Sequence, residues 1–381
     1  MRLLHMADLH LGKKLNEASL IEDQRFILTQ ALAAVDREQP DAVLLAGDIY
    51  DKPVPPAEAV ALLDDFLTAL AARGCKTVVI SGNHESAERL AFGARLLRAQ
   101  GVALSAPPQR DRLLPAPLTL SDAYGPVHLW GLPFVKPAHV RAALPDEPVE
   151  TYTDALRALI AHLPINPAER NVLVCHQFIT GGARSESEDI PVGGLDNVDA
   201  SVFDAFDYVA LGHLHRAQRV GREAVRYAGS PLAYSFGEVG DVKGALLTEL
   251  GPKGTFAVRA VPLQPLRALR ELRGTYEALT LRANYQGTAT DDYLHITLTD
   301  EYDVPDAMGK LRVIYPNLLK LDYDNARTRR DMLSGLTQGP EQRSPEAMLD
   351  DFYALQNNRP LDAAAHAYAL DALAACWEER T

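Results

Sequence analysis

The run LLHMADLHLG (residues 3–12) begins as an apolar segment and breaks off at Asp8 and His10. Four further apolar runs end in the same way. AVLLAG (42–47) hands over to Asp48, TVVISG (77–82) to Asn83 and His84, NVLVC (171–175) to His176, and YVALG (208–212) to His213 and His215. Short, nearly continuous runs of this kind fit strands buried on both faces. In open α/β sheets, ligands collect at the C-terminal ends of strands. If the five runs lie in one sheet, their eight Asp, Asn and His side chains converge on one cleft. In the opening run, residues i and i+2 of a strand share a side. Asp8 and His10 are therefore expected to reach one ion, with Leu9 between them pointing into the core.

The rest of the chain is consistent with a soluble α/β protein of two or three domains. It has 381 residues, 47% hydrophobic and 23% charged, with a net charge of −13. That balance argues against a surface that is basic all over, so nucleic-acid contact would need local basic patches, metal cations or a partner. Cys75, Cys175 and Cys376 are odd in number and form no CxxC pair. A disulfide framework or structural zinc is not expected, and a reducing, cytoplasmic setting is. The opening residues lack the apolar core of a signal peptide, and no apolar stretch approaches the ~20 residues of a membrane span.

Between the early strand runs lie helical stretches, RFILTQALAAVDRE (25–38) and PAEAVALLDDFLTALAARG (56–74). In the first, Phe26, Leu28, Ala31, Leu32 and Val35 recur at helical spacing, and Gly74 suits the end of the second. Beyond Gly212 the pattern turns to shorter strands (224–230, 244–250, 255–263), more antiparallel in character. LQPLRALREL (263–272) reads as a linker, YEALTLRANY (276–285) and DYLHITLTDEY (292–302) as strands, and residues 304–325 as a short helix and a strand. A polar, Gly-rich stretch precedes a helical tail. There Ser344 can cap with Pro345 at the first helical position. Met348, Phe352 and Leu355 fall on one face, and Leu370, Leu373 and Trp377 form a second stripe.

The chemistry lies in the strand ends. Of eleven histidines, five (His10, His84, His176, His213, His215) sit there. His5, His128, His139, His162, His295 and His366 have no such company and read as structural or solvated. Carboxylate, amide oxygen and imidazole together suit Mn²⁺, Fe²⁺ or Zn²⁺ at catalytic sites. Two such ions about 3.5–4 Å apart can drive in-line displacement at phosphorus, and a nearby imidazole can protonate the leaving oxygen.

The set DLH, GDIYD, GNHE, a strand-end His and GHLH resembles the calcineurin-like metallophosphoesterases. The resemblance implies a four-layer β-sandwich flanked by helices and a two-metal site. Carried over, Asp8, His10 and His215 would hold one metal and Asn83, His176 and His213 the other. Asp48 would bridge them, and His84 would be the transition-state acid. The stretches from SESED (185–189) through VGGLDNVDASVFDAFDYVALGHLHRAQRV (192–220), and RYAGSPLAYSFGE (226–238), further resemble the nuclease subunits of the SbcCD family. That likeness implies a phosphoesterase domain at 1–265, a small α+β capping domain at 266–327, a linker at 328–343 and C-terminal helices at 344–381. Those helices would dock on the coiled coil of an ABC-type ATPase partner, SbcC. By the same resemblance the chain would cut DNA with Mn²⁺ (Mg²⁺, Fe²⁺ or Zn²⁺ being possible), as an ATP-stimulated 3′–5′ exonuclease on double strands and an endonuclease on single strands or hairpins. It would pair with itself through the helices around 56–73 and 86–100, where Leu90, Phe92, Leu96 and Leu97 cluster.

One departure is Asp51, where archaeal members carry histidine; no role carries over to it. Lys13, Lys14 and Arg184 follow ligand-bearing strands and are candidate phosphate contacts, or solvated loop charges. Two other functions stay open: a small-molecule phosphodiesterase or phosphatase on the same core, and an adaptor whose tail is the working part.

Overall fold

A computed structural model describes residues 1–110, 113–185 and 197–325, together with 349–350, 353 and 365–369. Two six-stranded sheets form its centre. The first runs in the order 256–262, 244–250, 2–6, 42–46, 76–80, 102–104, and its last four strands are parallel. The second runs 218–220, 222–227, 208–212, 170–176, 125–132, 118–122, with its four central strands parallel.

Alternate residues of each strand serve two different cores, as the pleat requires. Leu3, Leu44, Val78 and Ile80 of the first sheet meet Val127, Leu129, Val172, Val174 and Ala210 of the second. On the outer face of the first sheet, Leu4, Met6, Val43 and Leu45 meet helices Ile21–Glu38 and Ala57–Ala72. On the outer face of the second, Leu173, Cys175, Val209 and Leu211 meet helices Pro137–Ala143 and Tyr152–Ala161. The result is the expected four layers, helix–sheet–sheet–helix. A fully buried Leu or Val contributes about 1.5–3 kcal/mol, so the strand runs double as the stabilising framework.

The first helix turns Leu28, Ala31 and Val35 to the core as its sequence reading has it, with Leu32 at the edge, and departs from it only at Phe26. Its buried face is Ile27, Leu28, Ala31, Ala34 and Val35, and Phe26 is exposed. The second ends as expected, with Gly74 in the left-handed region (φ +70°) just past Arg73. His5, read as structural, lies between the sheets with its ring nitrogens 3.1 Å from the Tyr208 hydroxyl and the Leu211 carbonyl.

A smaller three-stranded sheet, 269–274, 293–298, 318–323, is parallel throughout and has its own core of Leu294, Ile296, Leu298, Leu311 and Leu318. Two expectations need correction here. The segment read as a linker supplies the first strand, Leu269–Gly274. The segment YEALTLRANY is not a strand but two short helices, Tyr276–Thr280 and Arg282–Tyr285. Thr275 caps the first of these by accepting the Ala278 N–H, and parallel neighbours need a crossover there. This smaller module is tied to the first helix of the large one. Arg267 donates to Asp23 (2.8 Å) and Glu22 (2.7 Å), and the Tyr293 hydroxyl donates to Asp23 (2.8 Å). Gln30 and Gln264 exchange two hydrogen bonds.

Residues 328–343, read as a linker, lie outside the described residues. So do Ser344, Pro345, Met348, Phe352, Leu355, Leu370, Leu373, Cys376 and Trp377 of the tail.

Candidate metal centre

The five ligand-bearing strands do not lie in one sheet. Strands 2–6, 42–46 and 76–80 belong to the first, and 170–176 and 208–212 to the second. Both sheets present their C-terminal edges at the same end of the sandwich, so the side chains still converge.

The opening motif works by a different geometry from strand alternation. The strand ends at Met6, and Asp8 and His10 both adopt left-handed backbone (φ 54° and 42°). Asp48 (φ 47°) and His213 (φ 103°) do likewise. Non-glycine residues seldom sit there, at a cost of order 1–3 kcal/mol each, and such residues cluster at functional sites. Leu9 points into the core as expected, 1% exposed. The loop is braced from both sides. Gln24 of the first helix donates to the His10 carbonyl (2.7 Å) and accepts the Gly12 N–H (2.9 Å), and the Tyr234 hydroxyl donates to the Leu9 carbonyl (2.5 Å).

Asp8, His10, Asp48, His176, His213 and His215 are all buried, while Asn83 and His84 are half-buried. The donors fall into two overlapping halves. In one, His10 Nε2 lies 3.1 Å from His215 Nε2, and one oxygen of Asp8 completes a set of donor atoms within 4.8 Å of one another. In the other, Asn83 Oδ1 lies 3.0 Å from His176 Nε2 and 2.9 Å from His213 Nδ1. Asp48 Oδ2 stands between the halves, 3.6 Å from His10 Nε2 and 3.4 Å from His176 Nε2. His84 sits at the mouth. Its N–H donates to Asp48 Oδ1 (3.1 Å), its Nδ1 is 3.3 Å from the Asp51 carbonyl oxygen, and its Nε2 is 3.8 Å from Asp48 Oδ2.

Close approach at the strand ends requires glycine. A Cβ on Gly82 would stand 2.0 Å from Asp48 Oδ1, and one on Gly212 would stand 1.8 Å from the Ala46 carbonyl oxygen.

The electrostatics fit a divalent cation. Burial pushes Asp8 up to about 7, against the pull of His176 and His215. Burial also pushes Asp48 up, but His176, His10 and His84 together outweigh it and hold it well below the usual carboxylate range. Burial lowers His176, yet the Asp48 and Asp8 carboxylates lift it to about 9. Its Nδ1 already donates to the Ala46 carbonyl (2.8 Å), so the extra proton sits on Nε2, facing the carboxylates. A field that concentrates a proton there will concentrate a cation. Asp8 Oδ2 is buried with no hydrogen-bond partner among the described residues, and two imidazole nitrogens face each other at 3.1 Å. Both arrangements are satisfied by an ion between the donors.

Sequence reasoning missed several supporting residues. Asp51 lies 3.5 Å from His10 Nδ1 and 2.8 Å from Lys13 Nζ. Lys13, read as a candidate phosphate contact, is thus committed to Asp51. Arg184 stacks on the Phe178 ring at 3.8 Å, and Lys14 is exposed. Glu85, last of the GNHE quartet, accepts the N–H groups of Ile49 (3.2 Å) and Gly82 (2.8 Å) and so ties two ligand loops together. Burial and the neighbouring Asp48 carboxylate raise it to about 8. Glu238, behind His215, ends the RYAGSPLAYSFGE stretch with no ligand-like spacing to mark it.

Comparison with known proteins shows the family. The calcineurin-like phosphoesterase family matches residues 1–217, the span carrying every candidate ligand. The chain is 36% identical over 327 residues to SbcD, the D component of nuclease SbcCD, from Staphylococcus epidermidis, covering 84% of this chain and 85% of that one. The chain belongs to the SbcD family of calcineurin-like phosphoesterases. The namesake from Staphylococcus saprophyticus is 34% identical, with 84% of each chain covered. A second family, described as the type 5 capsule protein repressor C-terminal domain, matches residues 263–357 and so spans the small sheet. Among solved structures, a dimetal phosphatase from Danio rerio aligns with 69% of this chain and 98% of its own at 16% identity, with a TM-score of 0.42. As a member of a metallophosphoesterase family, the chain is a divalent-metal hydrolase. No helix among its described residues is long and apolar enough to cross a membrane.

Proposed function

We propose that this chain is the nuclease component of an SbcCD-type complex, hydrolysing DNA phosphodiester bonds with two divalent ions, Mn²⁺ first among the candidates. The observation that carries this reading is the likeness to SbcD proteins over 84% of the chain, extending past the catalytic core into the small sheet. Asp8, His10 and His215 would hold one ion, Asn83, His176 and His213 the other, and Asp48 both. The ions would activate water and neutralise charge at the scissile phosphate. The chain itself orients them, excludes bulk water from the buried donors, and offers the His84 imidazole at the mouth to protonate the departing oxygen. Bound cations also reconcile a net charge of −13 with a polyanionic substrate.

In this reading residues 1–265 are the nuclease domain, 266–327 the cap, 328–343 a linker, and 344–381 the helices that engage the coiled coil of the ATPase. The activities are 3′–5′ exonuclease on duplex ends, stimulated by that partner, and endonuclease on single-stranded or hairpin DNA, in repair and recombination in the cytoplasm. The decisive assay compares Mn²⁺-dependent degradation of linear duplex DNA with hydrolysis of an aryl phosphodiester, with the ATPase partner present. Degradation of DNA supports the reading. Turnover of the small ester alone overturns it in favour of a small-molecule phosphodiesterase.

The protein would act as a homodimer within a heterotetramer. Leu90 and Leu97 turn inward, but Phe92 and Leu96 are 87% and 79% exposed, and Phe92 lines a groove with the exposed Val54 and Val60. Large side chains exposed together mark an interface. The double variant F92E/L96E is expected to shift the dimer to a monomer in multi-angle light scattering at micromolar concentration. A wild-type monomer under those conditions refutes the pairing.

A further inference from the structure

The two halves of the centre are backed differently. Behind His176, Nδ1 donates to a neutral carbonyl, that of Ala46, while the Asp8 carboxylate, itself one of the donors, stands 3.9 Å off. Behind His215 stands a carboxylate, with Glu238 Oε1 3.4 Å from His215 Nδ1; Asp51 is 3.5 Å from His10 Nδ1 but makes no hydrogen bond to it. Glu238 ends a short turn, Phe236–Glu238, and is 1% exposed. Its second oxygen receives Lys243 Nζ at 2.5 Å. That ammonium, itself buried, also donates to the His215 carbonyl (2.8 Å) and to Ser230 Oγ (3.1 Å). All three ammonium protons are used. One ion pair therefore grips His215 at two points, the ring through Glu238 and the main chain through Lys243.

A buried ion pair is a poor route to stability, because desolvation offsets most of its attraction. Its value here is directional. A carboxylate accepting Nδ1–H fixes the ring so that the Nε2 lone pair faces the donor set, and it makes that nitrogen a stronger ligand. A backbone carbonyl fixes the ring but adds no charge.

We propose that Glu238 and Lys243 are positioning residues for His215 and make the Asp8–His10–His215 position the tighter of the two metal positions, so that the ions load in order. This rests on the two-ion reading above and says which position fills first and why.

The test is a Mn²⁺ titration of the full chain by calorimetry, with free Mn²⁺ followed by electron paramagnetic resonance. Wild type should bind two ions in resolved steps. Glu238→Gln retains an oxygen for Nδ1–H but removes the charge. It should weaken the tight step by about 10–100-fold and leave the weaker step within threefold. The concentration of Mn²⁺ giving half-maximal hydrolysis should rise with it. Since Glu238→Gln alone takes from the Lys243 ammonium its 2.5 Å carboxylate partner, leaving Asp241 at 4.0 Å, the double variant E238Q/K243M removes both charges and should behave alike. Thermal unfolding in chelator verifies that each variant folds. Wild-type affinities in both folded variants overturn the proposal while leaving the two-ion reading intact. Failure of wild type to bind two ions overturns both.

Discussion

Asp48→Asn should reduce hydrolysis by about 10³-fold or more at saturating Mn²⁺, roughly 4 kcal/mol of lost transition-state stabilisation. The reason is position. Asp48 Oδ2 lies 3.4 Å from His176 Nε2 and 3.6 Å from His10 Nε2, so the one oxygen serves both halves. Its other oxygen accepts the His84 N–H and thereby sets the loop carrying the acid. An asparagine can keep that backbone contact but cannot put charge between the halves. Metal content after dialysis should fall from two ions to one or fewer. Two retained ions, or activity within tenfold of wild type, would refute the bridging role.

The metal-free protein carries a further sign of the same pair. His176 is raised from 6.5 to about 9, so its share of stability is complete below pH 6.5 and is lost as pH rises through about 9. Asp48 is depressed, so its share is present above its ordinary 3.8 and is lost as pH falls through its folded value. Stability in chelator should therefore be greatest between about pH 4 and 6.5 on account of this pair. Asp48→Asn should flatten the profile when unfolding midpoints are measured from below pH 4 to above pH 9.

The site was more legible than its geometry. Each ligand follows an apolar run, and those runs are legible because each is buried on both faces: Val43 and Leu45 serve the outer core, Leu44 and Ala46 the inner. What a strand pattern cannot convey is which sheet a strand joins. Strand 170–176 reads much like strand 42–46, yet it lies in the other sheet, a choice made by long-range pairing. Nor does an Asp or His after a strand announce a left-handed backbone. That conformation is imposed from outside the motif, by Gln24 and by Tyr234, more than two hundred residues away. Glu238 and Lys243 were hidden for the same reason, since only folding brings them behind His215. Around residues 276–285 the error was local. Tyr276, Ala278 and Leu281 offer apolar spacing that suits a strand or a short helix alike, and the Thr275 cap decides for helix.

His84→Gln should lower the turnover of DNA by 10²–10⁴-fold, the usual yield of a positioned general acid, while leaving both ions bound. Nδ1 points to the Asp51 carbonyl, and the side chain remains about one-fifth exposed, open to an arriving phosphodiester. The ring stands edge-on to His10 with centroids 4.7 Å apart. A group there can reach a departing oxygen without belonging to either set of donors behind it. The leaving group supplies the sharper test. A DNA alkoxide needs a proton to depart, whereas a nitrophenolate hardly does. The variant should therefore retain far more of its activity on a nitrophenyl phosphodiester than on DNA. Equal loss on both substrates would mean that His84 does not act as the acid. Loss of an ion would mean that it is a ligand, as the proximity of His10, Asp48 and His84 donor atoms allows. Metal content and the ratio of the two activities, measured on one preparation, separate these outcomes.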